Sequence, residues 1–248
     1  MKLEAEFGDD VTVLLIESQG ATPEKMESFA LQQKWLLAGG IWTTEQPFQT
    51  GSGSLPHTVV LGIDGEVLFN DRPSSAVENL VSEQIKLAKK GPKGLSPACA
   101  KAWVEFEKGG YATAIAALEA VQDGPEKEAA RKLAASLTTR AKAKVARLAW
   151  LLENAEFEKA DKLAPLLVKG LAGHATLEPK ATELAAKLVA KEIAPERDAA
   201  KAFDKIEKKI AKDGLDPSAL KQLAGLVEKF RETRAGKRAA HMLKVVEG

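Results

Sequence analysis

The sequence predicts an α/β unit followed by an all-α, helical-repeat unit, and three observations carry that expectation. Apolar, β-branched runs bounded by turn residues occur only before Gly91. The segment Gly91-Pro-Lys-Gly94 is a strong helix stop and an obvious linker. From Ser96 onward, apolar residues recur at helical spacing almost without interruption. The 248 residues suffice for two ordinary domains. With 45% apolar and 29% charged residues the chain is globular in composition. Its net charge of +1 conceals a division: residues 1–91 carry 7 basic and 13 acidic side chains, and residues 92–248 carry 29 and 22. Such asymmetry is expected of two separate units, placed here at 1–91 and 95–248.

The first unit is expected to run β-α-β-β-α. Val11-Thr-Val-Leu-Leu-Ile16 is a continuous apolar run, as in a strand buried on both faces. Thr22 followed by Pro23 has the pattern of an N-cap with proline at the first helical position. Met26, Phe29, Ala30 and Gln33 then define the inward face of a helix. A loop rich in Gly, Thr and Gln spans residues 38–54 and carries Trp42, Pro47 and Phe48. Thr58 to Ile63 is a buried strand, Asp64-Gly65 a hairpin turn, and Glu66 to Phe69 the return strand. Pro73-Ser-Ser opens a helix with Ala76, Val77, Leu80, Val81 and Ile85 inward. Lys86, Lys89 and Lys90 lie near its C-terminus, where cations suit the helix dipole.

The order loop, Leu55-Pro56-His57, strand, Asp-Gly turn, strand resembles the cis-proline hairpin of thioredoxin-like proteins, closest to the thiol–disulfide oxidoreductases and their redoxin relatives. The resemblance implies a cis Leu55–Pro56 bond and a groove, at Leu55, Pro56 and His57, that binds an extended peptide by strand addition. It begins inside the family's first helix, at Leu3 to Asp10. The family's first strand and its Cys-x-x-Cys therefore have no counterpart here, and Val11–Ile16 and Thr58–Ile63 would flank an empty central position. The chain holds one cysteine, Cys99.

The second unit is expected to be helical throughout. Breaks fall at Gly109-Gly110, Gly124-Pro125, Asn154-Ala155, Leu171 to His174, Ala194-Pro195 and Asp213 to Pro217. Phe106-x-x-Gly-x-Tyr-x-x-Ala-x-x-x-Leu118 aligns with Leu152-x-x-Ala-x-Phe-x-x-Ala-x-x-Leu163 at a spacing of about 46 residues, longer than the usual ~34. An apolar residue closes one helix, a small one allows the turn, and an aromatic with an alanine seats the next. This pattern resembles tetratricopeptide-like helix pairs, and Glu228 to Leu243 resembles the last pair of such an array. Trp103, Phe106, Tyr111, Leu118, Trp150, Phe157 and Leu163 should then be buried, with Ala114 and Ala160 at close crossings and Ala112 exposed.

Few residues suggest chemistry. Ser96 as N-cap and Pro97 as first helical residue make Cys99 the third, where helix amides lower a thiol pKa, so Cys99 is a candidate reactive thiol as well as a small core residue. His57, His174 and His241 lack neighbours at metal-ligand spacing, so no metal is expected. Gly51-Ser-Gly-Ser54 lacks the lysine and helix of a phosphate loop, and no cofactor is expected. Lysines alternate with glutamates and few aromatics intervene, which disfavours nucleic acid. No apolar run reaches the ~18 residues of a membrane span. The expectation is a redox-inactive thioredoxin-like module joined to a helical scaffold that binds a protein partner. The alternative is a thiol–disulfide oxidoreductase whose Cys-x-x-Cys lies upstream of Met1. A true start at Met1 would make the chain cytoplasmic, and an upstream signal peptide would make it extracytoplasmic.

Overall fold

The structure, a computed structural model, describes residues 2–7, 10–17, 19–32, 41–43, 45, 53, 55–63, 65–92, 94–121, 124 and 126–247. These residues are mostly helical, with four short strands in the N-terminal part. In chain order they form α1 (Lys2–Phe7), β1 (Leu14–Ile16), α2 (Pro23–Gln32), β2 (Ile41–Thr43), β3 (Thr58–Leu61), β4 (Val67–Asp71) and α3 (Ala76–Lys90). Helices α4 (Pro97–Glu107), α5 (Tyr111–Glu119), α6 (Lys127–Glu153), α7 (Phe157–Gly170) and α8 (Leu177–Leu188) follow. A 3-10 turn at Lys191–Ile193 then leads into α9 (Ala194–Asp213), α10 (Pro217–Phe230) and α11 (Arg234–Glu247).

The chain divides into two compact units, Met1–Lys86 with Lys201–Gly248, and Leu87–Ala200. This grouping differs from a division at 91–95 with every later helix on one side. In the first unit α11 packs on α2, and the His241 ring reaches the Glu27 carboxylate at 2.8 Å. Helix α9 beyond Ala200 and helices α10 and α11 contribute Phe203, Ile206, Ile210, Leu223 and Met242 to the buried set. Asp216 caps α10 by accepting from the Ala219 N–H at 2.6 Å. That hydrogen bond, more than the nearby Lys209 ammonium, holds its carboxyl below the ordinary aspartate range.

The strands form two separate two-stranded sheets. β1 pairs with β2 in parallel, Leu14 opposite Ile41, and β3 pairs with β4 antiparallel, Thr58 opposite Asp71, with a register shift after Val60. Several expectations are corrected here. Val11–Ile16 is not a strand buried on both faces: only Leu14–Ile16 is strand, and Leu14 is 50% exposed. Thr58–Ile63 is not a buried strand either, since β3 ends at Leu61 and is half-buried before it. The return strand is Val67–Asp71 rather than Glu66–Phe69. Phe29 and Ala76 face outward, while Met26, Ala30, Val77 and Val81 are buried as expected. In each case a two-stranded sheet covers too little surface to bury apolar side chains on both faces, and the neighbouring helices supply the core instead. β2 falls within the stretch expected to be loop. Most of 38–54, with Pro47, Phe48 and all of 51–54 but Gly53, lies outside the described residues, as do Gln33 and Asp64.

The Leu87–Ala200 unit, by contrast, is helical from Pro97 onward apart from its turns, as the apolar spacing predicts. Ser96 is the N-cap of α4, Pro97 its first residue, and the Cys99 N–H donates to the Ser96 hydroxyl. Phe106, Leu118, Leu137, Leu148, Leu167 and Leu171 are nearly inaccessible. The two repeat turns are the same turn, 46 residues apart. The N–H groups of Lys108, Gly109 and Gly110 donate to Val104, Phe106 and Glu105, and those of Asn154, Ala155 and Glu156 donate to Trp150, Leu152 and Leu151. This is a Schellman-type helix end, and it needs a left-handed residue. Gly109 provides one at φ 95°, whereas Ala155 adopts φ 58° despite its Cβ. Ala114 and Ala160 are both fully buried. Four details are corrected. At this offset Leu118 corresponds to buried Ala164, and Leu163 is half-buried. Ala112 is buried, not exposed. Trp150 is 46% exposed, because the Arg147 guanidinium lies 4.5 Å from its ring and covers one face in place of the core.

Candidate functional site

The three groove residues foreseen from the sequence lie together at the start of the β3–β4 hairpin. The Leu55–Pro56 bond is cis, as expected. The Leu55 side chain is 53% exposed and Pro56 is exposed, so the pair forms a rim rather than a packed loop. His57 is half-buried, and its Nε2 lies 2.6 Å from the Asn70 Oδ1 across the hairpin. With Asn70 accepting, Nε2 carries the proton and Nδ1 is left as an acceptor, enclosed and without a partner among the described residues. The far end of the hairpin closes by Gly62 N–H donating to Glu66 and Gly65 N–H donating to Gly62. There Leu61 and Val67 are opposite each other in the register, and both are about half exposed, as is Ile63. Four apolar side chains on one small hairpin are thus left in water. Isolated exposed apolar residues are ordinary, but Leu61, Ile63 and Val67 share the turn end of the hairpin, and such a group marks a contact surface.

Cys99 is elsewhere, in the Leu87–Ala200 unit. It is 1% exposed and enclosed among the buried residues of that core. Its position at the helix N-terminus is the one expected, but a thiol without access to a reaction partner acts as a packing group. His174 and His241 are far from His57 in sequence and have other partners: His174 Nδ1 faces the Thr176 N–H at 3.4 Å, and His241 faces Glu27 on α2. Among the described residues no group of His, Cys, Asp or Glu is placed to hold a metal ion. None of the described helices is long and apolar enough to cross a membrane.

No family model matches this chain, and neither a curated protein nor a solved structure matches it.

The helical unit also carries an arrangement that single-residue motifs do not reveal. Helix α6 has seven basic residues against two acidic ones. On one side its cations are engaged. The Arg140 guanidinium lies 4.8 Å from the Trp103 ring and 5.2 Å from that of Phe106, with Nη2 2.8 Å from the Glu107 carboxylate. Lys144 approaches the Tyr111 ring. Burial raises the Tyr111 phenol above its ordinary value, and the Glu107 charge adds to that. Trp103 Nε1 and Arg140 Nη1 are enclosed without acceptors among the described residues, so cation–π contact and dispersion hold this stack together with the Glu107 ion pair. Arg197 ties α7 to the start of α9. Its fork grips Asp161 at 3.0 and 2.6 Å and also donates to the Leu188 carbonyl, and the Asp161 hydrogen bonds raise its already high pKa further. The sequence signal for this surface is the excess of Lys and Arg between 127 and 147, visible once the helix is drawn as a wheel.

Proposed function

We propose that this chain is a non-catalytic protein-interaction protein, a thioredoxin-like module without its dithiol pair joined to a tetratricopeptide-like helical scaffold. The observation that carries the reading is the hairpin. Leu61 and Val67 are exposed on its two strands, Leu55 and Ile63 in the segments that flank β3, and among the described residues the two-stranded sheet leaves strand edge for an added strand. Dithiol chemistry would need two thiols, and the single cysteine of the sequence is enclosed in the helical core. The stacked helices, each burying one stripe, suit a scaffold that presents surfaces rather than a cleft for catalysis.

A second reading is that the chain belongs to a thiol–disulfide oxidoreductase whose Cys-x-x-Cys is encoded upstream of Met1. One observation favours it: β1 and β3 belong to different sheets, as they would if a strand supplied from elsewhere joined them. Two measurements separate the readings. A photo-crosslinking amino acid at Ile63 is expected to give discrete protein adducts in cells, absent when it replaces Val189, an 83% exposed residue of the other unit. Insulin reduction with dithiothreitol is expected to proceed at the rate of the reductant alone. Absence of adducts at position 63 would remove the hairpin as the binding surface. Catalysis that survives Cys99→Ala would overturn the non-catalytic one.

A further inference from the structure

We infer that the groove between α5 and α6 is a docking site for an acidic amphipathic helix of a protein partner. The inference rests on the interaction reading above and assigns it a second, chemically distinct surface. The groove is open and has a volume of about 510 Å3. Leu118 and Ala134 line its apolar part, and Lys127, Arg131 and Lys142 bring charge to it from α6. Positions 127, 131, 138 and 142 follow steps of four, seven and four, so they fall along one face of the helix. They extend over roughly 22 Å of helix axis, about four turns.

Charge decides the occupant. The other cations of α6 have partners: Lys132 pairs with Glu128, Arg140 with Glu107, and Arg147 and Lys144 lie over rings. Lys127, Arg131 and Lys142 have no ion pair among the described residues. Three cations without an ion pair among the described residues, beside an apolar floor, complement carboxylates flanking an apolar stripe, which is the pattern of an acidic amphipathic helix. An extended peptide is disfavoured because the groove is bounded by two helices and offers no strand edge. A nucleic acid is disfavoured because among the described residues no aromatic side chain lines the groove for base stacking, and Glu119 opposes a uniform polyanion there. The small side chains of Ala134, Ala135 and Thr138 let a helix approach closely.

The test uses the full chain and a fluorescein-labelled synthetic peptide of about 20 residues, enough to match the length of the groove, with leucines at heptad spacing and glutamates on both flanks. Fluorescence anisotropy is expected to show saturable binding that weakens with salt. The triple reversal Lys127→Glu, Arg131→Glu, Lys142→Glu should lower affinity about tenfold or more, as lost charge complementarity does. Ala135→Trp, which fills the groove at an exposed position without changing charge, should do the same, so the result does not depend on the triple variant folding. An equal loss on reversing exposed Lys101, Lys180 and Lys221 would mean bulk charge and overturn the proposal. So would equal binding of a scrambled peptide of the same composition or of an oligothymidylate, or no binding at all. Failure here with crosslinks at Ile63 intact removes this groove alone; loss of the crosslinks with peptide binding intact removes the hairpin surface alone.

Discussion

Phe106→Ala is expected to lower the stability of the Leu87–Ala200 unit by about 3–5 kcal/mol, the cost typical of emptying a fully buried aromatic site. Phe106 is 1% exposed, and its ring meets that of Tyr111 edge-on at a centroid distance of 4.9 Å. The Arg140 guanidinium covers another side at 5.2 Å. Truncation therefore removes apolar contact, an aromatic pair and one ring beneath a cation. Chemical denaturation followed at tryptophan should show a lower midpoint with an unchanged slope. A midpoint like that of the parent protein would mean that this helix end is not packed as described.

Gly170→Ala is expected to approach the upper end of the overpacking range, about 3 kcal/mol. Gly170 ends α7 at the place where it crosses the α4–α5 turn. A Cβ there would collide with the Gly109 carbonyl oxygen and fall 2.6 Å from the Tyr111 ring. The backbone oxygen cannot rotate away, so the helix must shift. Ala114→Leu, at the equivalent kind of crossing, should cost about 1–3 kcal/mol, and Ala117→Leu on the exposed face should do almost nothing. The contrasting glycine is Gly225 in α10, where an added Cβ meets nothing within 4 Å. Gly225→Ala should stabilise by about 0.5–1 kcal/mol through helix propensity. Thermal or urea melts of the four variants check the order.

The helical unit was legible because its signals are local. A capping serine before proline, a small residue three after the closing apolar one, and an aromatic two later dictate a turn without reference to the rest of the chain. That is why the two repeat turns share every backbone hydrogen bond. The hairpin was legible for the same reason, whereas the cis Leu55–Pro56 bond was expected only from the resemblance of its loop. What was not legible depends on partners distant in sequence. Ile41-Trp42-Thr43 is too short to show a period, and it becomes strand through parallel pairing with Leu14–Ile16. Trp150 has the spacing of a core residue, but Arg147 on its own helix covers it instead. The stripe Phe203, Ile206, Ile210 states that one face of α9 is buried, and a periodicity cannot say against which neighbour. The hairpin's exposed apolar residues were hidden because an apolar run reads as buried whether or not anything covers it. The basic groove was hidden because ion pairing, which separates the engaged cations of α6 from the unengaged ones, is a property of the fold.

Residues 201–247 group with the N-terminal residues, and 87–200 is a unit by itself. Hydrogen exchange by mass spectrometry on the full chain in graded urea tests this division directly, since each cooperative unit loses protection as a block. Peptides from α10, α11 and the second half of α9 are expected to lose protection together with those from α2, and separately from α4 to α8. Loss of protection by α4 to α11 in a single step, with α2 apart, would contradict it and restore the division at residues 91–95.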